Sequence, residues 1–169
     1  MKVFGIVGLK NSGKTYFAQK IIASLSSKKI KVASIKHAHH NFDIDHPETD
    51  SFLHRQAGSE EVIISSSKRW AKIKELKDLK EKNLAELLNE LDNPDIVIVE
   101  GYKNEAHLKI EIVNNPLNAS SYLFTKLENV IALISDVKIF SFDKKQFKKN
   151  QIEEIVNYIL SYKKWILLF

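Results

Sequence analysis

The sequence contains no cysteine at all. This absence excludes a disulfide framework, a thiol nucleophile and any cysteine-ligated zinc or iron–sulfur site. Long apolar runs are also missing, since none approaches the roughly 20 residues that a membrane-spanning helix needs. Lys10 and Asn11 interrupt the first apolar stretch, so this stretch does not resemble a secretory signal. We therefore predict a cytoplasmic protein that does not engage a membrane.

The 169 residues carry a formal charge of +5 and are 44% apolar, which suits one domain with a substantial core. Basic residues cluster at 68–82 and 143–149. Such clusters are either solvated faces of helices and loops or surfaces for anionic partners such as nucleotides. The clusters do not interleave aromatic side chains with Lys and Arg as RNA- and DNA-binding segments do, so we expect no nucleic-acid partner.

Apolar runs alternate with helical patterns along the chain, which indicates an α/β protein with a mostly parallel sheet flanked by helices. Apolar runs predict strands at 2–7, 31–35, 61–65, 95–101 and 130–135, of which 2–7 and 130–135 read as buried. Further strands are predicted at 68–76 and 138–142, and the alternating segment 109–113 is predicted as an edge strand. Apolar residues at helical spacing predict helices at 14–28, 49–57, 80–91 and 152–160. We expect a single domain over residues 1–169, in which residues 144–169 form a C-terminal helical extension. The apolar end of its last segment, residues 161–169, is expected to pack on the core, with a dimer partner as the alternative.

The segment GLKNSGKT, residues 8–15, matches the phosphate-binding loop pattern G-x-x-x-x-G-K-[ST] (the Walker A motif) at every required position. It follows a predicted strand and opens a predicted helix, which is the context that this motif requires. Backbone N–H groups of such a loop surround a phosphate, while Lys14 would reach the β- and γ-phosphates and Thr15 would ligate Mg²⁺. The motif predicts a three-layer P-loop NTPase. The predicted nucleotide contacts in and beside it are Gly8, Lys10, Asn11, Ser12, Gly13, Lys14, Thr15 and Tyr16.

A second carboxylate is expected near the metal, at the end of a buried strand beside the first strand. Asp95 and Glu100 bracket the apolar run IVIV. Only the carboxyl end of a strand faces the ligand crevice of an open α/β sheet. We therefore predict Glu100 as a metal ligand and as the catalytic residue that orients water, and Asp95 as a cap on the far side. Gly101 would let the chain turn sharply at the phosphates.

Histidines and aspartates are concentrated in SIKHAHHNFDIDHPETD, residues 34–50, directly after the second predicted strand. Three interpretations stay open. The segment could form a zinc site, or a solvated polar loop, or a switch-like loop whose carboxylates reach Mg²⁺ or position a water while its imidazoles meet phosphates or a second substrate. Asp50 could cap the following helix, or act as a catalytic and metal-binding residue. Arg55 could bind phosphate or form an ion pair with a nearby carboxylate.

Taken together, these segments resemble the molybdopterin-guanine dinucleotide biosynthesis protein B (MobB) family. The resemblance is carried by GLKNSGKT (8–15), IKHAHHNFDIDHPETDS (35–51), HRQAGSEEVIISSSKRWA (54–71) and DIVIVEGYK (95–103). It implies a P-loop protein of the SIMIBI branch that binds GTP and Mg²⁺, forms a homodimer and hydrolyses GTP weakly. It also implies an adapter role, because such proteins assist the nucleotidyltransferase MobA, which attaches GMP to molybdopterin.

The resemblance also assigns residues outside the phosphate loop. Glu100 and Gly101 would belong to the nucleotide site. Asp136 ends a late strand where related GTPases carry a guanine-reading T/N-K-x-D motif; its carboxylate could accept hydrogen bonds from guanine N1–H and N2–H₂, although no Asn-Lys pair precedes it. The residues of the second family signature, which we expect to face a substrate or partner, are His37, His39, Asp43, Asp45, Asp50 and Arg55.

Two other functions stay open from the sequence alone. One is an ATP-dependent small-molecule kinase. Kinases of this fold close an arginine-bearing lid over the phosphates, whereas this chain has only Arg55 and Arg69. The other is a metallochaperone-like GTPase that would use the histidine-rich loop.

Overall fold

The computed structural model describes residues 1–38, 42–77, 80–115, 119–163 and 165. The chain forms two compact units. The sheet unit comprises residues 1–37 and 84–169, and the hairpin unit comprises residues 38–83. That both units act as a single domain stays a prediction.

The secondary structure alternates strands with helices, as the sequence predicts. The sheet unit begins with β1 (Lys2–Gly8), α1 (Lys14–Ser27) and β2 (Val32–Lys36). The hairpin unit follows with α2 (Asp50–Gln56), β3 (Glu61–Ser65) and β4 (Trp70–Lys74). The chain returns to the sheet unit with α3 (Leu84–Leu88), β5 (Ile96–Glu100), β6 (Leu108–Ile112), the short 3-10 helices Ala119–Ser121 and Leu123–Thr125, β7 (Val130–Ile134), β8 (Lys145–Phe147) and α4 (Ile152–Ser161). No helix within the described ranges is long and apolar enough to cross a membrane.

The sheet unit is built on a parallel sheet with the strand order β2-β5-β1-β6-β7-β8. The carboxyl ends of its strands therefore meet along one edge. Helices α1 and α4 pack on one face, where Ile21 and Ile155 share a buried cluster with Phe4. Helix α3 covers the other face, where Leu84 and Leu88 pack with residues of β5. The predicted α/β fold, with a mostly parallel sheet flanked by helices, is confirmed.

Strand β6 is central, and the prediction that it lies at a sheet edge is wrong. It pairs with β1 on one side and β7 on the other, and all of its residues are buried. The alternation of Lys109 and Glu111 with apolar residues suggested a solvated face. Instead, Lys109 Nζ donates to the carbonyl oxygen of His107 at 2.7 Å, and Glu111 accepts from the backbone N–H groups of Leu123 and Phe124 at 2.8 Å each. Buried charges persist only with such partners.

Residues 138–142 do not form the strand that their apolar pattern predicts; the edge strand is β8 instead. Ile139 and Phe142 turn inward and join a buried cluster with Leu133. The Gln146 amide donates to the carbonyl oxygen of Ile139 at 2.8 Å and accepts from its N–H at 2.9 Å. The backbone of Ile139 thus forms with a side chain the hydrogen bonds that a strand residue would form with a neighbouring strand. The C-terminal extension predicted as helical therefore contains β8 as well as α4. The helix predicted at 80–91 is shorter, at Leu84–Leu88.

The C-terminal segment contacts the core, as the sequence suggests. The Trp165 ring meets Phe4 edge-on, with 6.4 Å between ring centroids. Lys2 Nζ lies 5.2 Å from the centroid of the Trp165 ring, within the range of a cation–π contact. Residues 164 and 166–169 of this predicted core-packing segment lie outside the described part of the chain.

The hairpin unit consists of α2 and the antiparallel pair β3–β4. Thr49, and not Asp50, caps α2, because Thr49 Oγ1 accepts a hydrogen bond from Phe52 N at 3.4 Å. The prediction of a capping role for Asp50 is therefore wrong, and Asp50 lies in the first turn of the helix. On β3–β4, Ser65 lies opposite Trp70, so Ile63 and Trp70 point to the same face of the hairpin.

Arg55 is the centre of an ion-pair network within this unit. Its guanidinium contacts the carboxylates of Asp43, Asp45 and Glu75 at 2.6, 3.1 and 2.7 Å. The hydrogen bond from Arg55 lowers the pKa of Asp43, and the carboxylates raise the pKa of Arg55 above its usual range. Of the two roles predicted for Arg55, ion pairing is the one that the structure shows.

His107 is a fully buried polar residue next to β1. A Cβ on Gly5 would lie 2.3 Å from His107 Nε2, so glycine at this position leaves room for the imidazole. Neither ring nitrogen has a hydrogen-bond partner among the described residues. Burial, and to a lesser degree the neighbouring Lys109 ammonium, lowers the pKa of His107 to about 3. The ring is therefore neutral in the folded protein at neutral pH.

Acidification should weaken the fold through His107. The unfolded chain takes up a proton there near the ordinary pKa of 6.5, whereas the folded chain resists protonation down to about 3. Stability is thus fully present above pH 6.5, and the free energy of unfolding should fall through this window by up to about 1.4 kcal/mol per pH unit. Urea denaturation over a pH series measures this slope.

The His107→Leu variant removes the titrating group and should show a shallower pH dependence than the wild type. His54→Gln, which changes an exposed histidine, is the matched control and should keep the wild-type slope. Equal slopes for His107→Leu and the wild type would contradict the prediction.

Candidate nucleotide site

The chain between β1 and α1 forms a tight loop at the carboxyl edge of the sheet. Asn11 and Gly13 adopt positive φ angles of 62° and 94°. A Cβ on Gly8 would lie 2.4 Å from Ser12 Oγ and 2.9 Å from the carbonyl oxygen of Ile112, so the close turn requires glycine there. Gly13 has no side chain with which to cap the first N–H groups of α1. These donors and the positive end of the helix dipole form an anion site.

The Lys14 side chain curls back over this loop. Its Nζ donates to the carbonyl oxygens of Leu9 at 2.9 Å and Gly8 at 3.2 Å. These two bonds hold a cation beside the backbone N–H groups that would surround a phosphate. The loop and its lysine therefore converge on one position for an anion.

Thr15 and Glu100 are in direct contact. The Thr15 hydroxyl lies 2.9 Å from Glu100 Oε1 and 3.2 Å from Oε2. The contact follows from the pairing of β1 with β5, in which Ile6 lies opposite Glu100. The structure thus brings together the hydroxyl and the carboxylate that the sequence predicts as Mg²⁺ ligands. Their role at a metal stays a prediction.

The chain after Glu100 packs against the end of β2. His37 N donates to the carbonyl oxygen of Glu100 at 2.8 Å. Gly101 has a φ of 105°, and a Cβ there would lie 2.4 Å from His37 Cβ, so the position requires glycine. The His37 ring stacks on Tyr102 with 4.7 Å between centroids. His37 is therefore the residue of the histidine–aspartate loop that lies next to the predicted metal ligand.

The other predicted residues of that loop belong to the hairpin unit or lie outside the described residues. Asp43, Asp45, Asp50 and Arg55 belong to the hairpin unit, and His39 lies outside the described residues. In the part of the chain that the structure describes, no group of three or more histidine or acidic side chains could hold a metal ion. Since His39 and His40 lie outside the described residues, the zinc interpretation of this loop stays a prediction. Lys10 and Tyr16, predicted as nucleotide contacts, are exposed around the phosphate loop.

A cleft of about 430 Å³ lies beside the phosphate loop. Its lining combines the loop and the first turn of α1 with the segments after β6 and β8: Asn11, Ser12, Gly13, Tyr16, Phe17, Asn114, Lys149 and Asn150. Sequence analysis missed Asn114, Lys149 and Asn150. All three residues lie just after a parallel strand, and this position could have identified them as site residues. For Lys149 and Asn150 that inference requires β8 to be predicted at Lys145–Phe147.

Asp136 is tied to this cleft through Lys149. Its Oδ1 accepts from the backbone N–H of Lys149 at 3.1 Å, and its Oδ2 lies 3.3 Å from Lys149 Nζ. The backbone hydrogen bond from Lys149 is the main cause that lowers the pKa of Asp136, so the carboxyl is ionised at neutral pH. That Asp136 reads a guanine base stays a prediction.

Comparison with known proteins shows relatives along most of the chain. Residues 3–136 match the family model described as molybdopterin guanine dinucleotide synthesis protein B (MobB). The chain is 31% identical to the molybdopterin-guanine dinucleotide biosynthesis adapter protein of Escherichia coli (strain K12), over 89% of this chain and 87% of that protein. It is 30% identical to the protein of the same name from Haemophilus influenzae, over 93% of this chain and 86% of that protein.

Solved structures of similar proteins share the fold. A crystal structure of molybdopterin-guanine biosynthesis protein B superposes with a TM-score of 0.76 at 24% identity, over 94% of this chain and 98% of that chain. Bacillus subtilis MobB gives a TM-score of 0.75 at 21% identity, over 97% and 99% of the two chains. The structures establish the fold alone, whereas the family model and the two relatives establish descent. The chain belongs to the MobB family of molybdopterin guanine dinucleotide synthesis proteins.

Proposed function

We propose that this protein is a GTP-binding adapter that assists the attachment of GMP to molybdopterin during synthesis of molybdopterin guanine dinucleotide. The observation that carries the proposal is the meeting of Lys14 and the Thr15–Glu100 pair at the phosphate loop of a MobB-family chain. Its E. coli relative is named as an adapter protein of this biosynthesis. The partners in this proposal are GTP, the nucleotidyltransferase MobA and molybdopterin. A cytoplasmic location stays a prediction.

The residues at the loop fit a magnesium ion. The Thr15 hydroxyl and the Glu100 carboxylate are hard oxygen donors in contact with each other, and Mg²⁺ in nucleotide sites takes a few such protein ligands beside waters and phosphates. We propose that Thr15 and Glu100 hold it. The metal-binding and catalytic roles of Asp50, a residue of the hairpin unit, stay predictions. When bound, the ion would neutralise charge on the phosphate oxygens.

We propose that hydrolysis of GTP is weak, well below the roughly 1 per second at the low end of ordinary enzymes. Fast phosphoryl transfer usually employs an arginine that stabilises charge on the phosphates. Arg55 already contacts three carboxylates within the hairpin unit. This arrangement also leaves the kinase alternative without a supporting observation. The metallochaperone alternative would use His39 and His40, which lie outside the described residues.

We further propose that the protein is a homodimer through the hairpin unit. A two-stranded sheet is marginally stable alone, and its unpaired edges readily accept another strand. Ile63 and Trp70 lie on one face of the hairpin with 65% and 69% of their surface exposed. A second copy of this chain would cover these two exposed apolar side chains.

Lys14→Ala should lower the affinity for GTP by about tenfold or more, because charged hydrogen bonds to phosphate are worth about 1.5–3 kcal/mol. Calorimetric titration with GTP measures the loss. The same variant should fail to enhance dinucleotide formation when added to MobA, GTP and molybdopterin. Lys126→Ala is the control, because Lys126 is exposed and precedes β7, at the opposite edge of the sheet. Unchanged GTP affinity in Lys14→Ala would show that this loop is not the nucleotide site.

Glu100→Gln should keep the fold and much of the GTP affinity, because an amide oxygen can still accept from Thr15. It should reduce the gain in affinity that Mg²⁺ gives, since a charged ligand is lost. Titrations with GTP in Mg²⁺ and in EDTA separate the two effects. Asp143→Asn, an exposed carboxylate just before β8, is the control. If the two variants respond to Mg²⁺ alike, Glu100 is not a metal ligand.

Trp70→Glu should shift the protein from dimer to monomer, because a charge would be buried in the apolar contact. Size-exclusion chromatography with light scattering measures the mass. Phe140→Glu makes the same change at an 87% exposed aromatic residue of the sheet unit and should leave the dimer intact. A wild-type monomer, or a dimer that persists in Trp70→Glu, would contradict the proposal.

A further inference from the structure

The cleft beside the phosphate loop has the place and size of a small-molecule subsite. Its volume of about 430 Å³ lies within the roughly 300–1,000 Å³ of typical ligand pockets. One wall is the loop and the first turn of α1, which would hold the phosphates. The other wall carries Lys149 and Asn150, which follow β8. A nucleotide bound by its phosphates would therefore extend its base toward the segments after β7 and β8.

The ends of β7 and β8 bring Asp136 into contact with Lys149, a residue of that wall. Ser135 N donates to the carbonyl oxygen of Phe147 at 2.8 Å, which continues the parallel pairing of β7 with β8 to their ends. Asp136 then lies against Lys149, held by the backbone N–H at 3.1 Å and facing the ammonium at 3.3 Å. Both side chains reach solvent, with 57% of Asp136 and 34% of Lys149 exposed.

The Asp136–Lys149 ion pair offers a ligand a hydrogen-bond acceptor on Asp136 beside a donor on Lys149. An ionised carboxylate has about four lone-pair positions, so Asp136 can keep its bond to the Lys149 backbone and still accept from a ligand. A lysine ammonium only donates. Guanine offers the complementary edge, since its O6 accepts while N1–H and N2–H₂ donate. Adenine offers the reverse, with a donating N6 amino group beside an accepting N1.

We propose that the Asp136–Lys149 pair distinguishes guanine from adenine in the cleft. Asp136 accepts from N1–H and N2–H₂, and Lys149 donates to O6. Lys149 thereby supplies, from the segment after β8, the cation that would precede the aspartate in a T/N-K-x-D motif and that this sequence lacks before Asp136. The inference rests on the proposed GTP-binding function and names the residues that select the base.

Calorimetric titration of the full chain with GDP, ADP and xanthosine diphosphate tests the inference. Lys149→Met keeps an unbranched side chain that is one atom shorter and removes the donor. It should weaken GDP binding by about tenfold, because one good base contact is worth about 1–3 kcal/mol, while the affinity for ADP stays the same or rises. Lys148→Met removes the neighbouring exposed charge and should leave the ratio of GDP to ADP affinity unchanged.

Asp136→Asn provides a second readout that a general loss of charge or stability would not give. An amide can donate to the O2 of xanthine, where guanine carries its amino group. The variant should therefore bind GDP more weakly and xanthosine diphosphate more tightly than the wild type. Thermal melting of each variant checks that the fold is intact.

Different results contradict the base-reading role of the Asp136–Lys149 pair and the proposed GTP binding. If Lys14→Ala weakens GDP binding, but Lys149→Met and Asp136→Asn keep the wild-type ratios of affinity among the three nucleotides, the base-reading assignment is overturned and GTP binding stands. If Lys149→Met weakens GDP and ADP equally, Lys149 acts only through its charge, which also overturns the assignment. A wild type that prefers ADP, or binds no guanine nucleotide, overturns the proposed function itself.

Discussion

The parallel pairing of β1 with β5 determines where the chemistry of this protein lies. Because Ile6 and Glu100 share a register position, the carboxylate emerges at the same sheet edge as the loop that begins at Gly8. Thr15 can then reach Glu100 at 2.9 Å. A slip of one residue in β5 would turn the Glu100 side chain to the other face of the sheet. The phosphate loop would then lack an acidic neighbour, although every residue of its motif remained.

The two units divide the family's sequence signatures between them. The sheet unit contains the phosphate loop, Glu100 and His37, whereas the hairpin unit contains the aspartates that follow. Within the hairpin unit, Arg55 satisfies Asp43 and Asp45 directly. A guanidinium engaged in this way would have to release carboxylates before it could bind phosphate. These residues therefore hold the polar segment before α2 against the end of β4, and a signature motif need not consist of ligand-binding residues alone.

The sequence predicts best the strands that are buried on both faces and the loop that has a strict motif. β1, β5 and β7 are buried on both faces, so their apolar runs are unambiguous, and the loop at 8–15 has a strict pattern. β6 could not be placed because Glu111 depends on backbone N–H groups of Leu123 and Phe124, more than ten residues away. β8 contains one buried apolar residue, Phe147, and is a strand because β7 offers it a free edge. Because β8 was not predicted, the sequence did not identify Lys149 as a site residue.

The buried polar side chains of β6 also have a consequence for how the sheet assembles. Lys109 finds its acceptors at His107 and Glu128, and Glu111 finds its donors in the 3-10 helix Leu123–Thr125. In any misaligned pairing these charges would be desolvated without partners, which costs several kcal/mol for each ion. These two side chains therefore favour the native strand alignment, because that alignment supplies hydrogen-bond partners to both of them. The same arrangement aligns the segments after β7 and β8 with the phosphate loop, so correct assembly and a complete nucleotide cleft arise together.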